Sequence, residues 1–351
     1  MGLLMRKVLF CSKNGIRPYQ MSGAEETIDE ILKVLVCADF DVISLSCIER
    51  FLLYQRDYSR ALSDEQIVVL DGYKKYILCN PKNYNNLLKE LTKEFSPDII
   101  LTQLFDVSTI RKIVGNTVPI VCLIHGVIDN ESQIQFAGAD TYVCLSNYIA
   151  RKLPFENVKS FTIYPLIPKE KYLVGQRCCG DEKILFINPI KCKGVEIVFH
   201  LAEKFKSEQF LIYENWKQTD LRYKKIIEQI DNVEIKPVSS NPKEIYKNVK
   251  LLLVPSQIEE GFGRCVIEAN INSIPVVASR VGGLEEAVGE EQTLIEEYKC
   301  EFAWENAVGK ILYDNTYYWR LSRNAYINSK LFESKAAIID VFNEIYSDLC
   351  R

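Results

Sequence analysis

The apolar positions of this chain come in short runs rich in Val, Ile, Leu and aromatic residues, separated by stretches with apolar residues at helical spacing. RKVLFC (6–11) predicts a first strand, AEETIDEILKVLVCADF (24–40) a helix and DVISLS (41–46) a second strand. QIVVLDGYKKYILC (66–79) predicts a hairpin turning at Asp71-Gly72, a pair that tolerates the positive φ values of a two-residue hairpin turn. NNLLKELTKEF predicts a helix, and strands follow in IILTQLF, VPIVCLIHG (118–126), TYVCLSN (141–147) and SFTIYP (160–165). Apolar strands with little polar alternation, spaced by helices, imply a parallel sheet covered on both faces.

The pattern then restarts. Residues 166–182 are charged and aperiodic, as a linker would be. KILFIN (183–188) opens a second series. It comprises a helix over 194–206, FLIYEN, a helix over 219–230, VEIKP, a short helix near 242–248, KLLLVPS, a helix from 263, and PVVAS. From about residue 301 the sequence reads as helices. The expected fold is α/β: two doubly wound Rossmann-like domains whose parallel sheets face each other across a cleft at the carboxyl ends of the strands.

Length and composition agree with two domains: 351 residues, 48 % apolar. The net charge of −4 is not divided into a basic and an acidic half, which argues against a nucleic-acid partner. Of the 12 cysteines, Cys11, Cys79, Cys122 and Cys144 sit in or beside apolar runs, and there is no CxxC or Cys/His cluster. Buried free thiols in a reducing cytosol are therefore expected, and no zinc site, with only His125 and His200 to serve. No apolar run reaches the ~18 residues of a membrane span, so no transmembrane segment is expected. The start MGLLMRKVLFC is interrupted by charge, unlike a signal peptide, and Arg6 breaks the myristoylation pattern. These features point to a cytoplasmic protein. Peripheral membrane attachment stays open, because YKKYILCNPKNYNNLLKELTK is mildly basic.

The chemistry concentrates in PSQIEEGFGRCVIEANINSIPVVASRVGG (255–283). A buried strand ends at Pro255-Ser256, a loop follows, and a helix begins near Gly263. Backbone N–H groups at such a helix start favour an anion, and Gly261 and Gly263 allow close backbone approach. Glu260 and Glu268 would repel a phosphate, so they are suited to hydroxyl groups. A nucleotide sugar offers both: a diphosphate for the N–H groups, and ribose and sugar hydroxyls for the two carboxylates.

The run PS-x3-EGFG-x4-EA-x5-PVVAS-x2-GG resembles the retaining GT-B glycosyltransferases of glycosyltransferase family 4, the "group 1" transferases. SGAEE (22–26), IHG (124–126), ADTYVCLSNYIARKL (139–153) and Lys193-Gly194 resemble further segments of that family, in family order. The resemblance implies an acceptor-side domain over 1–172, a donor-side domain over 173–330 and a helix over 331–351 packing back toward the first. It implies that Glu268 holds the ribose hydroxyls. Glu260 would hold the donor sugar, with the backbone of Gly261, Phe262 and Gly263. Lys193 would neutralise the diphosphate. His125 would position the sugar or stabilise its transition state, and Gly23 would let its loop approach phosphates or acceptor. Gly282 and Gly283, with Glu286, would form a loop beside the donor; Arg264 is a further phosphate candidate. Asn188 stands where the family usually carries an arginine, with Lys191 nearby as a replacement charge. The implied reaction needs no metal or other cofactor. It moves a sugar from a nucleotide-sugar donor to the hydroxyl of a sugar, lipid-linked or small-molecule acceptor, with hexosyltransferase chemistry. A catalytically degenerate GT-B module that binds a sugar nucleotide or a partner, and a nucleotide-sugar epimerase, stand as alternatives.

Overall fold

The computed structural model describes residues 5–12, 22–47, 65–78, 81–103, 107–175, 182–214, 219–237, 239, 241–289 and 291–350. Cys79, one of the expected buried thiols, lies outside the described residues. The chain forms two compact units: Met1–Leu166 with Lys335–Arg351, and Ile167–Ser334.

The first unit is built on strands β1 (Arg6–Ser12), β2 (Phe40–Cys47), β3 (Glu65–Leu70), β4 (Tyr73–Leu78), β5 (Ile99–Gln103), β6 (Ile120–Ile124), β7 (Thr141–Cys144) and β8 (Ser160–Thr162). They lie in the order β3-β4-β2-β1-β5-β6-β7-β8. Neighbours are parallel throughout except β3 and β4. The sheet is therefore not wholly parallel, for a local reason. Asp71 (φ 57°) and Gly72 (φ 85°) make a two-residue turn, which can join only antiparallel strands. Central strands are buried on both faces: Val8, Leu9, Phe10 and Cys11 are fully enclosed.

Helix Gly23–Cys37 packs Ile28, Ile31, Leu32 and Leu35 into this core, and the Ser22 side chain caps it by accepting from the Ala24 N–H. The helix also buries charge. Asp29, 1 % exposed, meets the fully buried Lys75 of β4, whose Nζ is 3.1 Å from Asp29 Oδ1 and 3.0 Å from Asp71 Oδ2. Lys33 lies 2.8 Å from Asp29 Oδ2. The last helix, Ala336–Leu349, places Ile338, Phe342 and Ile345 in the same core.

The second unit carries β9 (Lys183–Ile187), β10 (Phe210–Tyr213), β11 (Val233–Lys236), β12 (Val249–Val254), β13 (Val276–Ser279) and β14 (Thr293–Ile295). Their order is β11-β10-β9-β12-β13-β14, all parallel. The order reverses between β9 and β12, the place where an open α/β sheet leaves a crevice at the carboxyl ends of its strands. Phe186 of β9 registers with Ile212 on one side and Leu253 on the other. Two elements had no clear signal in the sequence: helix Leu284–Val288 and β14. A short helix, Lys169–Tyr172, forms inside the stretch expected to be linker. Among the described residues no helix is long and apolar enough to cross a membrane.

Candidate active site

The second unit's reversal point gathers most of the expected site residues. Beyond β9 the chain turns at Asn188, which sits at φ 68° and donates its N–H to the Tyr213 carbonyl over 2.8 Å. Its side chain is buried and its Oδ1 has no hydrogen-bond partner. Asn188 thus serves the turn through its backbone. A tight turn over Lys191–Lys193 follows, with Lys191 exposed, and ends at Gly194, which opens helix Val195–Lys204. Gly194 has φ 79°, and a Cβ there would lie 1.9 Å from the Pro255 carbonyl oxygen. Only glycine lets these two chain segments touch, and that contact sets Lys193 beside the loop after β12.

In that loop Glu260 accepts from both Lys193 Nζ and the Ser256 hydroxyl. Helix Arg264–Asn270 follows, with Gly263 at φ 104° as its cap. Phe262 turns inward onto Phe332, ring centroids 5.3 Å apart, so only its main chain is left to face a ligand. Gly282 and Gly283 support the loop from behind. The Gly283 N–H donates to the Glu260 carbonyl over 2.7 Å. A Cβ on Gly283 would lie 2.2 Å from the Gly261 oxygen, and one on Gly282 2.4 Å from the Glu260 oxygen. These glycines fix the loop's backbone, while Glu286, on the helix they precede, is half-buried.

Glu268 lies on the second turn of helix Arg264–Asn270. Its Oε2 accepts from the Tyr246 hydroxyl over 2.6 Å, and Arg264 Nε lies 3.7 Å from its Oε1. Arg264 also donates to the Tyr172 hydroxyl over 3.3 Å. Burial first, and then the Glu268 carboxylate, raise the Tyr246 phenol well above its ordinary range, so it stays a proton donor. Burial, with help from Glu268 and Glu260, pushes the Cys265 thiol up to about 12; it stays protonated and acts as packing, not as a nucleophile.

His125 and Gly23 belong to the first unit. His125 follows β6, and its Nε2 lies 2.5 Å from Oε1 of Gln103, the last residue of the neighbouring β5. With an amide oxygen facing it, Nε2 is the donor. Gly23 starts the helix after β1, close to the point where this sheet's order also reverses. Ser256, Tyr246 and Gln103 were not singled out by the sequence reading. Ser256 lies within the PS pair itself, and Gln103 ends an apolar run; Tyr246 carries no local signal.

Residues 180–328 match the family model described as Glycosyl transferases group 1. The matched residues all lie in the second unit. D-inositol 3-phosphate glycosyltransferase of Corynebacterium glutamicum (strain R) is 33 % identical over 105 residues, which is 30 % of this chain and 25 % of the relative. An uncharacterized 42.6 kDa protein in the cps region of Klebsiella pneumoniae is 28 % identical over 155 residues, 42 % of this chain and 40 % of that protein. The chain thus spans well under half the length of these curated relatives. Sucrose-phosphate synthase from Thermosynechococcus elongatus superposes with a TM-score of 0.80 at 16 % identity, covering 98 % of this chain and 99 % of the other. Anabaena HepE, solved in complex with UDP-glucose, superposes at 0.75 and 16 % identity, over 98 % and 100 %. These likenesses are of fold: two α/β domains, each built on a mainly parallel sheet.

Proposed function

We propose that this chain is a retaining, metal-independent glycosyltransferase that moves a sugar from a nucleotide-sugar donor to an acceptor hydroxyl. The observation that carries the reading is the pair of carboxylates at the second sheet's reversal point. Glu260 is held by Lys193 and Ser256, and Glu268 by Tyr246 beside Arg264. Retention and metal independence rest on the motif resemblance. The acceptor is a sugar, a lipid-linked sugar or a small molecule.

In the reaction the bond from the anomeric carbon to the diphosphate breaks, a bond to the acceptor oxygen forms on the same face, and the acceptor's hydroxyl proton passes to the departing diphosphate. Negative charge grows on the departing diphosphate. A cation aimed at that charge stabilises the transition state more than the ground state. Helix Arg264–Asn270 is only seven residues long, so Lys193 supplies most of this positive charge. Lys193 engages Glu260 in the free protein, and donor binding exchanges part of that contact for phosphate oxygens. Glu260 then turns its acceptor capacity to the sugar hydroxyls, and Glu268 to the ribose. By the motif resemblance, His125 would serve the sugar.

The test is a panel of nucleotide sugars, beginning with UDP-glucose, measured by thermal shift and then by donor hydrolysis with and without EDTA. A ligand at 100 times its Kd adds about 2.7 kcal/mol of stability. At least one donor is expected to stabilise the protein and to be turned over with EDTA present. Turnover abolished by EDTA and restored by manganese overturns metal independence. Stabilisation without turnover, for every donor, favours a binding module instead.

A further inference from the structure

Tyr246 ends the short helix Pro242–Tyr246 that leads into β12, and Glu268 lies on the helix that follows β12. The two meet side chain to side chain. Tyr246 is 1 % exposed, and its ring packs edge-on to Tyr172 at 6.4 Å. A phenylalanine would fill that space nearly as well. The hydroxyl is the part the core does not need, and its partner is Glu268 Oε2 at 2.6 Å. Arg264 approaches the other oxygen, and its guanidinium is itself tied to Tyr172. Tyr172 is fixed in turn: the Asn272 amide donates to its carbonyl over 3.0 Å and to the Glu268 carbonyl over 3.1 Å.

A glutamate on a helix surface samples several rotamers, and a ligand that needs one of them must bear the cost of ordering it. Here the carboxylate plane is set before any ligand arrives. A carboxylate has about four acceptor sites. One is used by the phenol and one faces the guanidinium, which leaves capacity on both oxygens for a pair of neighbouring hydroxyls.

We propose that Tyr246, with Arg264 on the other oxygen, is a positioning residue that fixes the Glu268 carboxylate for the vicinal hydroxyls of the donor's ribose, so that the site selects ribonucleotides over 2′-deoxyribonucleotides. This rests on the reading above that Glu268 holds the ribose. The buried phenol acts through the carboxylate and needs no contact of its own with the ligand.

The experiment measures Kd by calorimetry for UDP and 2′-deoxy-UDP, with ADP and 2′-deoxy-ADP as a second pair. The proteins are wild type, Tyr246→Phe, Arg264→Gln and Glu268→Gln, each with its melting temperature. Wild type is expected to prefer the ribonucleotide by roughly 10-fold or more, as for a hydrogen bond to a charged group. Tyr246→Phe is expected to weaken the ribonucleotide about 10-fold and the deoxynucleotide less than about 2-fold, so the preference collapses. Arg264→Gln should move the ratio the same way, and it carries the test if the phenylalanine variant does not fold. A Tyr246→Phe protein that weakens both ligands equally, or keeps the wild-type ratio while Glu268→Gln loses it, overturns this inference alone. No ribose preference in wild type, or none lost in Glu268→Gln, overturns the assignment of Glu268 to the ribose. No binding of either pair, nor of GDP or CDP, overturns the nucleotide reading itself.

Discussion

At Gly194, Gly282 and Gly283 a single carbon atom decides whether the site's loops can meet. Each would place a Cβ within 2.4 Å of a backbone oxygen of the β12 loop, a separation that side chains do not adopt. Gly283→Ala is therefore expected to cost at least the 1–3 kcal/mol typical of overpacking, roughly, and to displace Glu260 and Gly261. Turnover should fall by more than the melting temperature alone explains. An alanine variant with wild-type turnover would show that the loop is not held from behind. Glu260→Gln tests the neighbouring carboxylate. The amide still accepts from Ser256 but loses its charge pairing with Lys193. A contact that strengthens in the transition state lowers kcat while leaving nucleotide affinity near wild type. Equal kcat in variant and wild type would remove Glu260 from the reaction. Glu260, Glu268 and the glycines were legible in the sequence because their spacing lies within one continuous segment. Tyr246 was not, because its bond to Glu268 spans 22 positions and exists only after β12 is in the sheet. Asn188 stands where the resembled family carries an arginine, and its positive φ, which the sequence does not announce, makes it a turn residue as well.

Among the elements, the helix Gly23–Cys37 and the hairpin β3–β4 show how local and distant signals differ. Asp71-Gly72 specifies the hairpin from two residues. The helix reads as amphipathic, with Glu25, Glu26, Asp29 and Glu30 suited to a wet face, yet all four are buried. For Asp29 the partner is Lys75, a strand residue brought under the helix by the sheet order. Burial by itself would raise the Asp29 carboxyl, but Lys75 and Lys33 together hold it below the usual carboxylate range. A carboxylate with a lowered folded pKa contributes stability that is present above its unfolded value, about 3.9, and is lost as pH falls through the folded value. Lys75→Met removes one partner of a buried pair, and Asp29 keeps Lys33. The expected loss at neutral pH is about 3 kcal/mol, or roughly 6–12 °C for a unit of this size. Below about pH 4 the gap between variant and wild type should narrow, since the protonated Asp29 no longer rewards the lysine. Melting temperatures from pH 3 to pH 7 check both statements; a gap constant across that range would show that Lys75 contributes only packing.

For the whole molecule, the two-sheet plan was legible because each series of strands and helices has its own periodicity and the restart at Lys183 is clear. The chain path is less simple than the order of the sequence. The first unit is completed by residues from the far end of the chain, Lys335–Arg351. Helix Ala336–Leu349 gives Ile338, Phe342 and Ile345 to the first core, each at most 1 % exposed, and Lys159 pairs with Glu344 at 2.7 Å. That ion pair is exposed on both sides and screened by water and salt, so it adds little. The three apolar side chains decide the outcome: at about 1.5–3 kcal/mol each their burial contributes roughly 5–9 kcal/mol, as an upper estimate. That is comparable to the whole stability of a typical domain, about 5–15 kcal/mol. Ending the chain after Ser334 should therefore unfold the first unit, or leave it melting far below the second, while the second unit keeps every described residue of the Lys193–Glu260–Glu268 site. Calorimetry of the shortened chain is expected to show one cooperative transition in place of two, and thermal shift with the donor nucleotide should still move that transition upward. A shortened chain whose first unit melts as in the full protein would mean that the helix lies on the core without holding it. Loss of nucleotide binding together with the helix would place part of the donor site in the first unit.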